Sequence, residues 1–390
     1  MGRACDSQTE QNEMRASLNR KRRWLVEAGL ALAFGVGFAA CSGDDEGISP
    51  LDGGLDAQTD TYLSEQAVSV EAAAESSAPA SARDWSTYPP VVEMDGVSEI
   101  WALSDIHGDY SALTKLLAGA GVIASEPVGP SAVLWSAGTA TLVVVGDAID
   151  KGPDAPDVVR LLIALRVSAE AAGGHVIVTM GNHEAEFLAD PENDKATKTG
   201  TDEGIDPELS AIGLAPDATA AGDNDIGVFI RNLPVACRID DWFFAHAGKT
   251  DGFAIADIAA LVRNEVDDAG FGAPVLADDA SILEARLAST PPQWWDESGD
   301  AGALLTSWAS AVGAHHLVMG HQPGDVGIAG GPNRNSDDMF AAYGGLLFLI
   351  DTGMSIGADH TGGALLHVKN AGDAGESWEE ALPNGSTKSF

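Results

Sequence analysis

The chain has 390 residues, 45% of them hydrophobic, which allows a sizeable core and about two to three domains of ordinary size. Its 21 lysines and arginines stand against 59 aspartates and glutamates, a net charge of −38. That charge excludes nucleic acid as a default partner and membrane attachment through a basic patch. Three cysteines (Cys5, Cys41, Cys237) are too few for a disulfide framework.

The N-terminus reads as a targeting segment. Arg15, Arg20, Lys21, Arg22 and Arg23 precede an apolar run from Trp24 to Ala40, broken only by Glu27. A charged region, an apolar stretch and small residues at its end form a secretory signal over 1–40, and Met14 is a second candidate start. The run is short for a membrane span and carries a carboxylate. Phe38-Ala39-Ala40-Cys41 resembles a bacterial lipobox, which makes Cys41 the lipidated first residue of the mature protein. Ser42 follows it, so the resemblance implies an outer-membrane lipoprotein facing the periplasm or the exterior; plain secretion is the alternative.

Residues 41–90 are rich in Asp, Glu, Ser, Ala and Gly, and read as a disordered acidic tether. One domain is expected over 91–370, with a flexible tail over 371–390. Short apolar runs at 99–103, 141–145, 175–179, 242–245, 316–319 and 346–350 read as buried strands. Val235-Ala236-Cys237 also reads as strand, with Cys237 as a small buried hydrophobe. Helical periodicity covers 110–120 through Leu113, Leu116 and Leu117, and 156–172 through Val158, Leu161, Leu162 and Leu165. Residues 190–226 are polar and turn-rich, an inserted loop or cap near the site.

The residues just past the strands carry the chemistry. The first strand leads into Ser104-Asp105-Ile106-His107-Gly108 and the second into Gly146-Asp147-Ala148-Ile149-Asp150-Lys151-Gly152. The third leads to Gly181-Asn182-His183-Glu184, the fourth to His246-Ala247-Gly248, and the fifth to Gly320-His321-Gln322-Pro323. Ligands of open α/β sheets collect at the carboxyl ends of strands, so five strands deliver carboxylate, imidazole and amide groups to one edge. Asp105 and His107 are two apart and share a face of an extended chain. Asp147 sits in a tight glycine turn, where a carboxylate can bridge two cations, and Asn182, His246 and His321 can complete a second site. A mixed nitrogen and oxygen set suits Zn, Fe or Mn rather than Ca. Two such ions can share a hydroxide and hold the oxygens of an in-line displacement at phosphorus.

The ordered set Asp-x-His, Gly-Asp-x-x-Asp-x-Gly, Gly-Asn-His-Glu, His-x-Gly and Gly-His resembles the calcineurin-like metallophosphoesterases over about residues 98–355. Asp105-Ile106-His107-Gly108-Asp109-Tyr110, Gly181-Asn182-His183-Glu184 and Ile350-Asp351-Thr352-Gly353-Met354-Ser355 look like the bacterial branch of the phosphoprotein phosphatases, the Shewanella-like phosphatases. The resemblance implies an α/β fold, a sandwich of two mixed β-sheets flanked by helices. It implies a binuclear phosphatase in which Asp105, His107 and bridging Asp147 hold one metal and Asp147, Asn182, His246 and His321 hold the other. The resemblance further implies that the metals would supply a hydroxide to attack phosphorus, that His183 would protonate the leaving oxygen with Asp150 orienting it, and that Lys151 and Asn182 would contact the phosphoryl group.

Two departures stand out. Lys151 occupies a position where the family usually has Arg, and a lysine cannot fork onto phosphate as a guanidinium does. Trp294-Trp295 is followed by Asp296-Glu297 rather than by a second phosphate-clamping Arg. The expected substrate is a phosphomonoester, with phosphorylated Tyr, Ser or Thr of proteins included. A nucleotide or phosphodiester hydrolase, and a non-catalytic metal-binding lipoprotein on the same scaffold, are the alternatives.

Overall fold

A computed structural model describes residues 83–329, 333–335 and 338–390. The expected signal segment over 1–40, Cys41 and most of the expected acidic tether over 41–90 lie outside the described residues.

The strands, in chain order, are β1 (Val91–Met94), β2 (Glu99–Leu103), β3 (Thr141–Val145), β4 (His175–Thr179), β5 (Ala236–Ile239), β6 (Trp242–Ala245) and β7 (His316–Met319). They continue with β8 (Val326–Gly327), β9 (Asn333–Arg334), β10 (Phe340–Ala342), β11 (Leu347–Leu349), β12 (Leu365–Lys369), β13 (Ser377–Ala381) and β14 (Thr387–Lys388). One six-stranded sheet runs β1-β5-β6-β7-β11-β10 and the other β14-β13-β12-β2-β3-β4, with β8 and β9 as a separate pair. Both are mixed. β2, β3 and β4 are parallel, as are β6, β7 and β11, whereas β5–β6, β10–β11 and the pairs made by β12 are antiparallel.

Strand alternation builds the layers. Ile100, Ala102, Val143, Val145 and Ile177 face Cys237, Trp242, Phe244, Val318 and Phe348 across the inner core. The intervening residues Trp101, Leu103, Leu142 and Val144 face outward into a helix layer. There they meet Leu113, Leu116 and Leu117 of α1 (Tyr110–Gly119) and Val158, Leu161, Leu162 and Leu165 of α2 (Ala155–Ala172), all fully buried. Each buried leucine contributes about 1.5–3 kcal/mol relative to exposure. α3 (Asn182–Ala189) follows β4 after only two residues, which places its first turn at the sheet edge.

Several expectations change. The strand expected over 346–350 is confined to Leu347–Leu349. Segment 190–226 is not a bare loop. Its second half forms α4 (Ile205–Ala211), α5 (Pro216–Ala221) and α6 (Asp225–Arg231), anchored by the buried Ile205, Leu209, Ile226 and Ile230. Ile205/Leu209 and Ile226/Ile230 are at i, i+4 spacing, but helices of only 6 or 7 residues are too short for a sustained period. The tail expected over 371–390 instead carries β13 and β14, which extend the second sheet. Trp378 of β13 reaches an aromatic cluster with Trp242, His316 and Phe348. The described residues before Val91 are also packed onto the domain. The Arg83 guanidinium donates to the carbonyls of Arg231, Asn232 and Leu233 at 2.9–3.1 Å, which ties the end of the acidic stretch to the end of α6.

Candidate metal centre and active site

Six parallel strand ends meet at one edge. Asp105 and His107 follow β2, Asp147 and Asp150 follow β3, Asn182 and His183 open α3 after β4, His246 follows β6, His321 follows β7 and Asp351 follows β11. All of these side chains are buried. Asp105, His107, Asp147, Asp150, Lys151 and His321 have φ between +50° and +71°, the left-handed region that non-glycine residues rarely adopt. Such backbone persists where surrounding bonds over-determine it, and it clusters at sites that do chemistry.

Those bonds are visible. Glu184 of α3 accepts four backbone N–H groups, from Asp147 (3.0 Å), Ala148 (2.8 Å), Ile149 (3.2 Å) and Gly181 (2.7 Å). It therefore welds the loop after β3 to the loop after β4. Burial, then the neighbouring Asp147, pushes its carboxyl up to about 7. Gly181 passes so close to Asp147 that a Cβ there would lie 2.1 Å from Asp147 Oδ1. The Asp147 and Asp105 carboxylates are held by main chain as well: His183 N donates to Asp147 Oδ1 (3.1 Å) and His321 N to Asp105 Oδ2 (2.8 Å).

The ligand-type atoms converge on Asp147. His246 Nε2 lies 3.3 Å from Asp147 Oδ1, while His107 Nε2 and His183 Nε2 lie 3.7 and 3.9 Å from Oδ2. His246 Nε2 is also 3.1 Å from Asn182 Oδ1 and 3.1 Å from His321 Nδ1. Asp105 Oδ1 is 3.7 Å from His107 Nε2. The set His107, Asp147 and His183, and the set Asp147, His246 and His321, each bring one ligand atom per residue within 4.8 Å of the others. The structure thus brings all six expected ligands together and adds His183 to the first cluster.

This donor set fits divalent cations. Asp105 Oδ1 is buried without a hydrogen-bond partner, an arrangement that costs free energy unless something positive sits against it. His107 Nδ1 faces Ile149 O at 3.1 Å and His246 Nδ1 faces Val145 O at 2.9 Å. A proton on each Nδ1 leaves the Nε2 lone pair aimed at the cluster, the arrangement metal-ligating histidines adopt. The Lys151 ammonium lies 2.9 Å from His107 Nε2, so a protein cation is already drawn to this point. Burial alone would lower the His246 pKa, but Asp147 and Asp105 overcome it and raise it to about 10. Burial, then its neighbour His246, lowers His321 to about 2. Burial and then Asp351 raise the Asp105 carboxyl well above the ordinary range.

Beside the cluster, His183 Nδ1 lies 2.7 Å from Asp150 Oδ2, and the other oxygen of Asp150 accepts Ile205 N at 2.8 Å. Lys151 is set by the segment after β11: Ser355 Oγ and Gly357 N donate to its carbonyl at 2.7 and 3.0 Å. Trp294 and Trp295 belong to packing. Trp294 stacks on Trp308, and Trp295 is fully buried with Nε1 donating to Tyr343 Oη at 3.0 Å.

The sequence reading missed Arg286. It lines one cavity with Asp150, Lys151 and His183, so a guanidinium is present although none follows Trp295. Its segment is fixed on both sides. Ala247 N donates to Ile282 O (2.9 Å), and Gln322 clasps Leu287 through both main-chain groups (2.9 and 2.8 Å). The only available signal was Gln322 directly after His321, which says nothing about its partner until the chain folds. Asp351 and Arg334 were also missed. Arg334 is buried, donates to Gln322 O (2.5 Å) and Asp351 O, and supports the Asp105 side of the cluster with positive charge.

Comparison with known proteins agrees with this arrangement. The family model described as calcineurin-like phosphoesterase matches residues 98–348. Shewanella-like protein phosphatase 1 of Plasmodium berghei is 33% identical over 275 residues, covering 66% of this chain and 67% of that protein. An uncharacterized protein of Schizosaccharomyces pombe is 28% identical, covering 65% of this chain and 73% of its own. A symmetrical bis(5'-nucleosyl)-tetraphosphatase of Janthinobacterium is 27% identical, covering 51% of this chain and 59% of its own. Among solved structures, a cold-active protein tyrosine phosphatase superposes with a TM-score of 0.55 at 22% identity, covering 77% of this chain and 81% of that one; this likeness concerns the fold. With the family model matched over most of its described length and a buried cluster of suitable metal ligands, the chain belongs to the calcineurin-like phosphoesterases, a family of hydrolases.

Proposed function

We propose that the protein is a binuclear metal-dependent phosphatase acting on phosphomonoesters, including phosphorylated side chains of proteins. The observation that carries this reading is the His183–Asp150 pair, 2.7 Å apart and set directly against the Asp147 cluster. Asp105, His107 and Asp147 would hold one ion, and Asp147, Asn182, His246 and His321 the other. Mn, Fe and Zn all suit these donors. Bound there, two divalent ions supply an activated water and neutralise phosphate charge. Asp150 fixes the His183 ring so that Nε2 faces the reacting group, where it can pass a proton to the leaving oxygen. Lys151, Arg286 and the Asn182 amide supply donors for the phosphoryl oxygens.

Elemental analysis of the purified protein combined with a panel of aryl phosphates and phosphopeptides tests this. Two equivalents of transition metal and monoesterase activity lost in Asp147→Asn support it. Metal without turnover on any phosphoester would leave a binding protein and overturn the enzyme reading. Relatives named for bis(5'-nucleosyl) tetraphosphate hydrolysis favour a second reading, a nucleotide or diester substrate. A dinucleoside polyphosphate turned over far faster than any monoester would decide for it.

The N-terminal pattern supports placement in a bacterial envelope through acylated Cys41. Labelling with a fatty-acid analogue that disappears in Cys41→Ser, with release of the protein from membranes, would support that placement. Equal labelling of both would overturn it.

A further inference from the structure

Outside the ligand cluster the most unusual feature is a concentration of positive charge. A cavity of about 110 Å³ is lined by Lys151, Lys195, Lys198 and Arg286, against two carboxylates, Asp150 and Asp202. Four of the chain's 21 basic residues therefore meet at one opening of a molecule with net charge −38. Asp150 is already committed to His183 and Ile205 N.

The lining has two halves. Lys151 touches His107 of the ligand cluster, and it and Arg286 serve the transferring phosphoryl group in the reading above. Lys195 and Lys198 come from the polar segment after α3, which no motif explains. Their partners are Glu186 (2.5 Å) and Asp202 (2.6 Å), and the side chains are 33% and 49% exposed. The Lys198–Asp202 pair opens to solvent, where an ion pair is worth little, whereas Lys195 and Glu186 are half-buried and Glu186 also bonds Glu284. His183 lines the same cavity. In the phosphatase reading, a leaving group that takes a proton from His183 would face this space and these lysines.

We propose that Lys195 and Lys198 form a second anion site, which selects substrates whose leaving group carries a carboxylate or a second phosphate close to the scissile ester. The proposal rests on the phosphatase reading and names its substrate class. A ligand of this kind also resolves an electrostatic difficulty. A strongly acidic protein repels a polyanionic substrate everywhere except where local cations dominate the field.

The test uses three phosphotyrosyl peptides, identical except that the residues beside phosphotyrosine are alanine, aspartate or phosphoserine. The reacting ester is then the same in all three. The full-length protein is expected to favour the aspartate peptide over the alanine peptide roughly tenfold in kcat/KM at low salt, a preference that shrinks as ionic strength rises. The Lys195→Met/Lys198→Met double variant should bring that ratio close to unity, and Lys195→Arg/Lys198→Arg should preserve it. A larger gain from phosphoserine than from aspartate would identify phosphate as the preferred anion. A wild-type ratio near unity, or an undiminished ratio in the double methionine variant with normal metal content, overturns the second site while leaving the phosphatase intact. Absence of turnover on all three peptides and on aryl phosphates overturns both.

Discussion

His183 Nδ1 and Asp150 Oδ2 are 2.7 Å apart, although His183 lies in the first turn of α3 and Asp150 in the loop after β3. The same carboxylate accepts Ile205 N, and Glu203 O accepts Gly152 N at 3.2 Å. The inserted helical segment thus presses on the loop that orients the proposed acid. His183→Asn should lower kcat on phenyl phosphate about 10²–10⁴-fold, with a much smaller loss on 4-nitrophenyl phosphate, whose leaving group needs no proton. Metal content, measured by elemental analysis, should stay at the wild-type level. Equal losses on both esters would remove the acid role.

Gly181 offers a test of the metal centre that removes no ligand. A Cβ at this position would sit 2.1 Å from Asp147 Oδ1 and 2.3 Å from Asp147 N. Gly181→Ala is expected to displace the Asp147 carboxylate, proposed to bridge the two ions, and to lose most bound metal and activity, with far-ultraviolet circular dichroism unchanged. Normal metal content would show that the loop yields without cost.

Arg286 should contribute charge-assisted hydrogen bonds to the phosphoryl group. Such bonds are worth about 1.5–3 kcal/mol, so Arg286→Ala should lower kcat/KM on aryl phosphates roughly ten- to a hundredfold. Arg286→Lys should recover only part of this, because an ammonium cannot bind in a fork. Wild-type kinetics in Arg286→Ala would place the guanidinium outside the reaction.

Glu208 makes stability depend on pH. It is buried against the start of α2, where its Oε2 accepts Ala155 N at 2.7 Å and its Oε1 has no partner. Burial, with Glu203, Asp154 and Asp150 nearby, raises its carboxyl from 4.5 to about 9. The folded state therefore holds this proton more tightly than the unfolded state. The stabilisation is complete below pH 4.5 and is lost progressively as pH rises through about 9. Glu208→Gln keeps the acceptor and cannot ionise. Its melting temperature should fall less than that of wild type between these limits, by roughly 2–4 °C for each kcal/mol of relieved penalty. Parallel melting curves for the two proteins across this range would refute the buried protonated carboxyl.

The order of motifs in the chain determined much of this protein. Short runs of β-branched and aliphatic residues mark β2, β3, β4, β6 and β7, because buried parallel strands must be apolar on both faces. The groups at their carboxyl ends had to gather at one edge once those strands paired, so Asp105, His107, Asp147, Asn182, His246 and His321 were legible from position and chemistry alone. Tertiary structure decided what depends on contacts between distant segments. Arg286 reaches the site because Gln322 clasps Leu287, a pairing without local periodicity. Glu208, far along the chain, occupies the start of α2, where Asp154 offers no side-chain cap. β13 became a strand because β12 supplies hydrogen bonds and the aromatic cluster accepts Trp378, neither of which is written in residues 377–381. Local sequence carries strand-forming tendency and the donor atoms, whereas burial, close approach and partner choice arise only when the whole chain excludes water.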